Sequence, residues 1–188
     1  MLRDLLARLE LPAVMARHDP SVVRAAYSAV NASVALAVMA VLAHVSHAPF
    51  LFPSLGATAF VIFYTPTARV ASPRNTVCGH LIGVLAGYLA LTLTGLRHTR
   101  PDVDDVTGPR IAAAAIALGV TCAVMALLGV ANPAAASTAL IVATGLLRTP
   151  AQLVTVLAAV VLLVAQGLLV NRLAGLDYPW WRAPPGAA

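Results

Sequence analysis

Lysine is absent from this chain of 188 residues, and charged residues of every kind make up only 10 % of it. A water-soluble globule carries about a quarter charged residues. With 60 % hydrophobic residues there is too little polar material here to coat one, and the composition is that of a membrane protein. The missing lysine has no functional reading of its own. Cysteine is nearly missing too: Cys78 and Cys122 lie inside apolar segments without a C-x-x-C or Cys/His spacing, where a thiol behaves as a small hydrophobe. The apolar runs hold no carboxylate, so a sodium-coordinating site or a proton site driven by Asp or Glu has no ligand. No Ser-His-Asp set, metal cluster or phosphate-cradling glycine loop is written. An enzyme is therefore not expected, and no catalytic residue, metal or cofactor is assigned.

The charges that are present are segregated. No Asp, Glu or Arg occurs in residues 25–68, 75–96, 111–147 or 149–171. The formal charge of +5 comes from arginines at the ends of apolar segments and in loops, a pattern that suits lipid headgroups and topology rather than nucleic acid. The start "MLRDLLARLELPAVMARHDP" lacks the apolar core and cleavage site of a signal peptide, so the first span is expected to be retained. Leu2, Leu5, Leu6 and Leu9 recur at helical spacing opposite Arg3, Asp4, Arg8 and Glu10 until Pro12 interrupts them, which predicts an interfacial helix. At the other end Tyr178, Trp180, Trp181 and Arg182 suit the headgroup layer.

Crossing a hydrocarbon core of about 30 Å takes roughly 20 helical residues. Residues 25–45, 75–96 and 151–170 meet that length. The run 111–147 is too long for one span and contains Asn132-Pro133; proline cannot continue a helix but is well placed to start one behind an Asn N-cap. One helix should end near Ala131 and another occupy 133–147, about 22 Å long and too short to cross fully. Residues 53–65 form a shorter helix that also opens on a proline.

The expected fold is thus all-α and polytopic, with two three-helix repeats of long-short-long pattern. Residues 1–24 form an interfacial segment, 25–96 the first repeat, 97–110 a connecting loop, 111–171 the second repeat and 172–188 an interfacial tail. Setting Pro53 on Pro133 aligns Gly56 with Ala136, Ala57 with Ser137, Thr58 with Thr138 and Ala59 with Ala139. If the short helices cross, each repeat has three crossings and the halves are inverted; if they dip and return, the halves are parallel. With both termini cytoplasmic, six crossings put eight arginines inside and four outside, and four crossings put nine inside and three outside. Paired discontinuous helices at corresponding positions favour the inverted arrangement.

The two broken helices are the candidate substrate site. A helix N-terminus offers unpaired N–H groups and a partial positive charge to an anion. Ser54 and Gly56 follow one proline and Ala136 the other, small enough to let a ligand approach, while Thr58, Asn132, Ser137 and Thr138 add uncharged polar groups. Tight helix packing uses the same residue types. Gly79, Gly83 and Gly87 make a smooth ridge on the third span, and His80 shares its face. His80 is either a proton carrier or anion contact, or a neutral imidazole satisfied by a backbone carbonyl of a broken helix.

These residues resemble the HPP family of integral membrane proteins. The likeness is carried by "SPRN" followed by "GHLIG", and by "ANPAAASTALI" at the position of the family's His-Pro-Pro-Ala-Gly-Ala-Thr-Ala. Asn132 stands for the His, Ala134 for the second Pro and Ala136 for the Gly; Pro133, Ala135, Thr138 and Ala139 are retained. The resemblance implies a transporter, and plastid and cyanobacterial relatives are associated with nitrite movement. By position it adds Arg74, Asn75, Gly79 and His80 as matching residues. Arg74 either attracts an anion to the mouth of a span or snorkels to headgroups. The reading is a transporter or channel for a small, nitrite-like anion, expected as a multi-pass homo-oligomer in a bacterial inner membrane. The alternative is a membrane scaffold or accessory subunit.

Overall fold

A computed structural model describes residues 10–101 and 106–184. It is helical, with a short α1 (Leu11–Met15) followed by α2 (Pro20–Ser46), α3 (Pro53–Tyr64), α4 (Pro73–Leu93), α5 (Gly108–Leu128), α6 (Pro133–Ala143) and α7 (Pro150–Leu173). Each of α2 to α7 has a proline in its first turn, where the missing N–H would have no intrahelical partner and the ring presets φ. Proline thus starts every membrane helix here. Pro12 does the same in α1; the amphipathic pattern of Leu2 to Leu9 that it was expected to interrupt lies outside the described residues.

Polar caps move several boundaries from their expected places. The Asp19 carboxylate accepts from the Ser21 and Val22 amides at 2.8 and 3.4 Å, so α2 begins five residues before the apolar run. Thr149 and Gln152 form a reciprocal capping box at α7. The helix expected to end near Ala131 ends at Leu128, because Gly129 takes φ 60°. The one expected over 133–147 ends at Ala143, just before Gly145 at φ 82°. Left-handed backbone is open to glycine without a Cβ penalty.

Contacts fix the direction of every helix. At one face, here called proximal, the Tyr27 hydroxyl donates to Asn171 Oδ1 at 2.7 Å, Tyr178 donates to the Ala71 carbonyl at 2.6 Å and the Arg74 amide donates to the Trp181 carbonyl at 2.9 Å. Burial raises the Tyr178 phenol above its ordinary range, so it remains a neutral donor. At the distal face Arg110 bonds the Arg100 carbonyl and Arg148 bonds the Thr99 carbonyl. Between them α4 and α6 run parallel: Gly79 faces Asn132 and Ala135, Gly83 faces Ala135 and Ala139, and Gly87 faces Ala139 and Val142.

Consequently α2, α4 and α6 run from the proximal to the distal face, and α3, α5 and α7 return. Helices α3 and α6, about 18 and 16 Å long at 1.5 Å per residue, complete their passes through the flanking segments 47–52 and 144–149. Four helices, α2, α4, α5 and α7, are long and apolar enough to cross a membrane, and the shorter apolar α3 and α6 run in opposite directions among them. Burial corresponds between the two short helices: from Phe52 to Phe63 and from Asn132 to Ala143 the order of buried, half-buried and exposed positions is the same except at Phe60 and Leu140. The expected pairing of Pro53 with Pro133 is therefore also a pairing of environments.

Helix α4 is the axis of the bundle. Half of its span is buried, against 11 % for α2, whose Val22, Val30, Val34, Val38, Val41 and Val45 face outward. A methyl built on Gly83 would lie 2.5 Å from the Ala135 carbonyl oxygen, and one on Gly87 2.6 Å from that of Ala139. The glycine ridge therefore brings two backbones into contact, as membrane helices do with small residues. Replacing Gly83 or Gly87 by Ala is expected to destabilise the protein by about 1–3 kcal/mol through overpacking, whereas Gly56→Ala, which meets nothing within 4 Å, should leave thermal stability in detergent unchanged.

Candidate functional site

At mid-depth α3, α4 and α6 meet in a ring of four buried polar side chains. His80 Nδ1 lies 2.7 Å from Thr138 Oγ1, and its Nε2 lies 2.9 Å from Thr58 Oγ1. Ser54 Oγ lies 2.7 Å from Thr138 Oγ1, and Thr58 donates to the Ser54 carbonyl at 2.8 Å. All four residues are at most 1 % exposed. The helical spacing of Ser54 and Thr58 puts both on one face of α3, and the close approach of α4 to α6 brings His80 within reach of Thr138.

Proton counting orders the ring. A hydroxyl has one hydrogen; that of Thr58 goes to the Ser54 carbonyl, so Thr58 accepts from His80 Nε2–H. Nδ1 is then the acceptor of a neutral imidazole, Thr138 donates to it, and Ser54 donates to Thr138. The circuit starts at the Ser54 hydroxyl and closes on the Ser54 carbonyl, with every hydrogen placed. His80 is thus satisfied by hydroxyls of both broken helices and not by a backbone carbonyl.

A second polar cluster holds the break between α5 and α6 near the proximal face. Arg74 donates to the carbonyls of Leu128 and Gly129 at 3.0 and 3.2 Å, and Arg69 to that of Gly129 at 3.1 Å. Asn75 Nδ2 donates to the Ala131 carbonyl at 3.1 Å. Asn132 Nδ2 reaches the Val70 carbonyl and Thr76 Oγ1 at 3.2 and 3.3 Å, while its Oδ1 caps the Ala135 amide at 3.1 Å. Carbonyls freed where α5 ends need donors, since lipid supplies none; Arg69 in the turn before α4 and Arg74 and Asn75 in its first turn provide them. Arg74 has both carbonyls, of Leu128 and Gly129, as partners. It closes the end of α5.

The candidate residues separate accordingly. Ser54, Thr58, His80 and Thr138 come together in the ring, and Arg74, Asn75 and Asn132 in the clamp. Gly56 and Ala136 occupy matching half-buried positions, and Ser137 is exposed away from the ring. Sequence reasoning passed over Arg69 and Thr76, which complete the clamp, and Asn171, which joins Tyr27 to the Ile62 carbonyl at 3.2 Å. A buried Asn one turn from the end of an apolar helix was the available signal. Among the described residues Thr121 Oγ1 is the one buried side-chain polar atom without a partner.

The first amides of the two broken helices are open. Ser54 N and Ala134 N have no acceptor among the described residues, although Ser54 and Ala134 are 1 % and 2 % exposed. The α3 start also lacks a side-chain cap, its N-cap being Phe52. A cavity of about 660 Å³ lies elsewhere, at the proximal face between Arg24, Tyr27, Tyr64 and Asp177, and no ring residue lines it.

Residues 17–179 match the family model described as HPP, transmembrane region. The chain belongs to the HPP family. Comparison with curated proteins and with solved structures returns no significant match. In this HPP protein the Gly-His signature supplies the imidazole of the ring, the Pro-Arg-Asn signature supplies the clamp, and the second motif supplies Thr138 to the former and Asn132 to the latter. Family membership and four long apolar helices describe a multi-pass integral membrane protein of transporter-like build.

Two neighbouring substitutions separate the ring from its surroundings. Thr138→Val keeps the shape but leaves the Ser54 hydroxyl and His80 Nδ1 unpaired, and should cost about 1–3 kcal/mol for each buried group. Ser137→Val, on the exposed side, should change stability by no more than about 0.5 kcal/mol. Thermal unfolding in detergent measures both.

Proposed function

We propose that this HPP protein transports a small monovalent anion of the nitrite class, received at the N-termini of the two broken helices. The observation that carries the reading is the pair of open amides at Ser54 and Ala134, both buried and both at the positive end of a helix dipole. At the start of α4, by contrast, the half-buried Arg74 N finds the Trp181 carbonyl. The described spans hold no carboxylate, so a cation would enter without a counter-charge while an anion meets dipoles and hydroxyls. Gly56 leaves space beside α3, which lets a small ion approach the backbone.

Opposed repeats joined at mid-depth by a hydrogen-bonded ring suit alternating access, in which one repeat rocks against the other about a fixed site. Among the described residues the proximal face carries Arg17, Arg24, Arg69, Arg74, Arg172 and Arg182, the distal face Arg97, Arg100, Arg110 and Arg148, and this majority supports a cytoplasmic proximal face in the bacterial inner membrane that we propose as its location. Helix α2, so little buried in one copy, gives a homo-oligomer a surface to use.

The test is thermal stability of purified protein across sodium salts of small anions, nitrite and nitrate included, at constant ionic strength. A ligand at about 100 times its Kd adds about 2.7 kcal/mol to the folded state, and Tm should rise selectively for the cargo class. Gly56→Leu fills the space beside α3 and should abolish the shift without unfolding the protein. A flat panel in folded protein would instead favour a scaffold or accessory subunit.

A further inference from the structure

The ring has one property that a packing contact lacks: its direction reverses when His80 takes up a proton. In the neutral ring Nδ1 accepts from Thr138, and Thr138 accepts from Ser54. A proton added at Nδ1 makes both imidazole nitrogens donors. Thr138 must then accept from Nδ1, and its own hydrogen needs a new acceptor. Thr58 bonds the carbonyl one turn back; Thr138 makes no such bond, and the remaining partner within reach is Ser54 Oγ. Once Thr138 donates to it, the Ser54 hydroxyl hydrogen is released from the ring. The Nε2 side, through Thr58 to the Ser54 carbonyl, is unchanged.

The released hydrogen belongs to the residue whose amide is already open. Protonation of His80 thus gives Ser54 two free donors, N–H and O–H, at the uncapped start of α3 and one turn from the space beside Gly56. It also places a positive charge at mid-depth, where an isolated charge is costly. No carboxylate lies in the described spans to balance it. The ionisable side chains on the elements around His80 are Tyr64 of α3, Arg74, Cys78 and Tyr88 of α4, Arg69 and Arg97 with His98 of the short turns before and after α4, Arg110 and Cys122 of α5, and Arg172 of α7, with none on α6; none is a hydrogen-bond partner of the ring. The group that can both neutralise the imidazolium and fill the donors at Ser54 is a monovalent anion.

We infer that anion and proton are taken up together, one proton on His80 Nδ1 for each anion at Ser54, so that the protein is a proton–anion symporter. The inference rests on the anion reading above and adds the coupling ion to it. The balance is simple: neutral ring, proton and anion give imidazolium and bound anion with no net charge added to the membrane interior, and release on the other side restores the original ring. The imidazole is a proton carrier whose loading is set by the hydroxyl chain, which hands the signal from α4 through α6 to α3.

The full chain is reconstituted in phosphatidylethanolamine–phosphatidylglycerol vesicles enclosing a pH-sensitive dye, and sodium nitrite or sodium nitrate is added outside, with protein-free vesicles correcting for leak of nitrous acid. Anion uptake and internal pH are followed together from external pH 5 to 8. Coupled uptake should acidify the interior, and the half-saturating anion concentration should fall by up to about tenfold for each unit drop in pH, as one linked proton requires. His80→Gln, which offers a donor and an acceptor but binds no proton, should abolish that slope, and Ser54→Ala, which removes the released hydrogen, should flatten it. Uptake that is equal at every pH and leaves the interior unacidified overturns the coupling and leaves the anion reading standing. Absence of both uptake and a stability shift for any anion overturns the two together. If His80→Gln does not fold, Ser54→Ala decides alone: a full pH slope in that variant refutes the proposal.

Discussion

Inside a bilayer every backbone polar group must find its partner within the protein, and the rest of this structure follows from how two broken helices meet that demand. Where α5 stops, the carbonyls of Leu128, Gly129 and Ala131 are taken by Arg69 just before α4 and by Arg74 and Asn75 in its first turn. The first half thereby finishes the second half's helix end. At the starts of α3 and α6 the demand is met incompletely: Asn132 caps one, Phe52 caps nothing, and the first amide of each stays open. The open ends are where the structure has chemistry to spare.

The ring and the clamp do different work because their groups differ in charge and depth. The clamp uses guanidinium groups close to the proximal face, where Arg74 is half-buried and Arg69 exposed, and charge-assisted bonds to carbonyls are strong there. The ring lies deeper and contains no formal charge in its neutral form. It joins three helices through bonds whose polarity can be inverted without moving a heavy atom far, which is what a site needs if it is to respond to a proton and still hold the two halves together.

Packing keeps the ring in place. The three glycines of α4 admit α6 so closely that carbonyl oxygens of α6 occupy the space a side chain would fill, and α4 with α6 forms a stiff parallel pair. Helix α3 is held differently: Gly56 faces open space, while its Ile62 side chain, rather than backbone, fills the space at Gly167 of α7, and the Ile62 carbonyl accepts from Asn171. Motion of α3 relative to the α4–α6 pair would therefore act on the Ser54–Thr138 and Thr58–His80 bonds first.

By itself the sequence determined the class, the spans and the two breaks, because these are local matters: apolar length, segregated arginines, and a proline that can start a helix but not continue one. It also suggested the pairing of Pro53 with Pro133, since each is followed by mostly small residues and a Thr-Ala pair. Helix ends were legible only to within a few residues, as glycines at φ 60° and 82° and polar caps set them. Tertiary structure alone decided that Arg74 and Asn75 clamp a helix end 54 to 56 residues away, that Ser137 points away while Thr138 points in, and that His80 meets two hydroxyls. Those facts depend on α4 and α6 running parallel at glycine distance and on α3 and α6 running in opposite directions, and no periodicity within one segment encodes which distant segment will lie beside it.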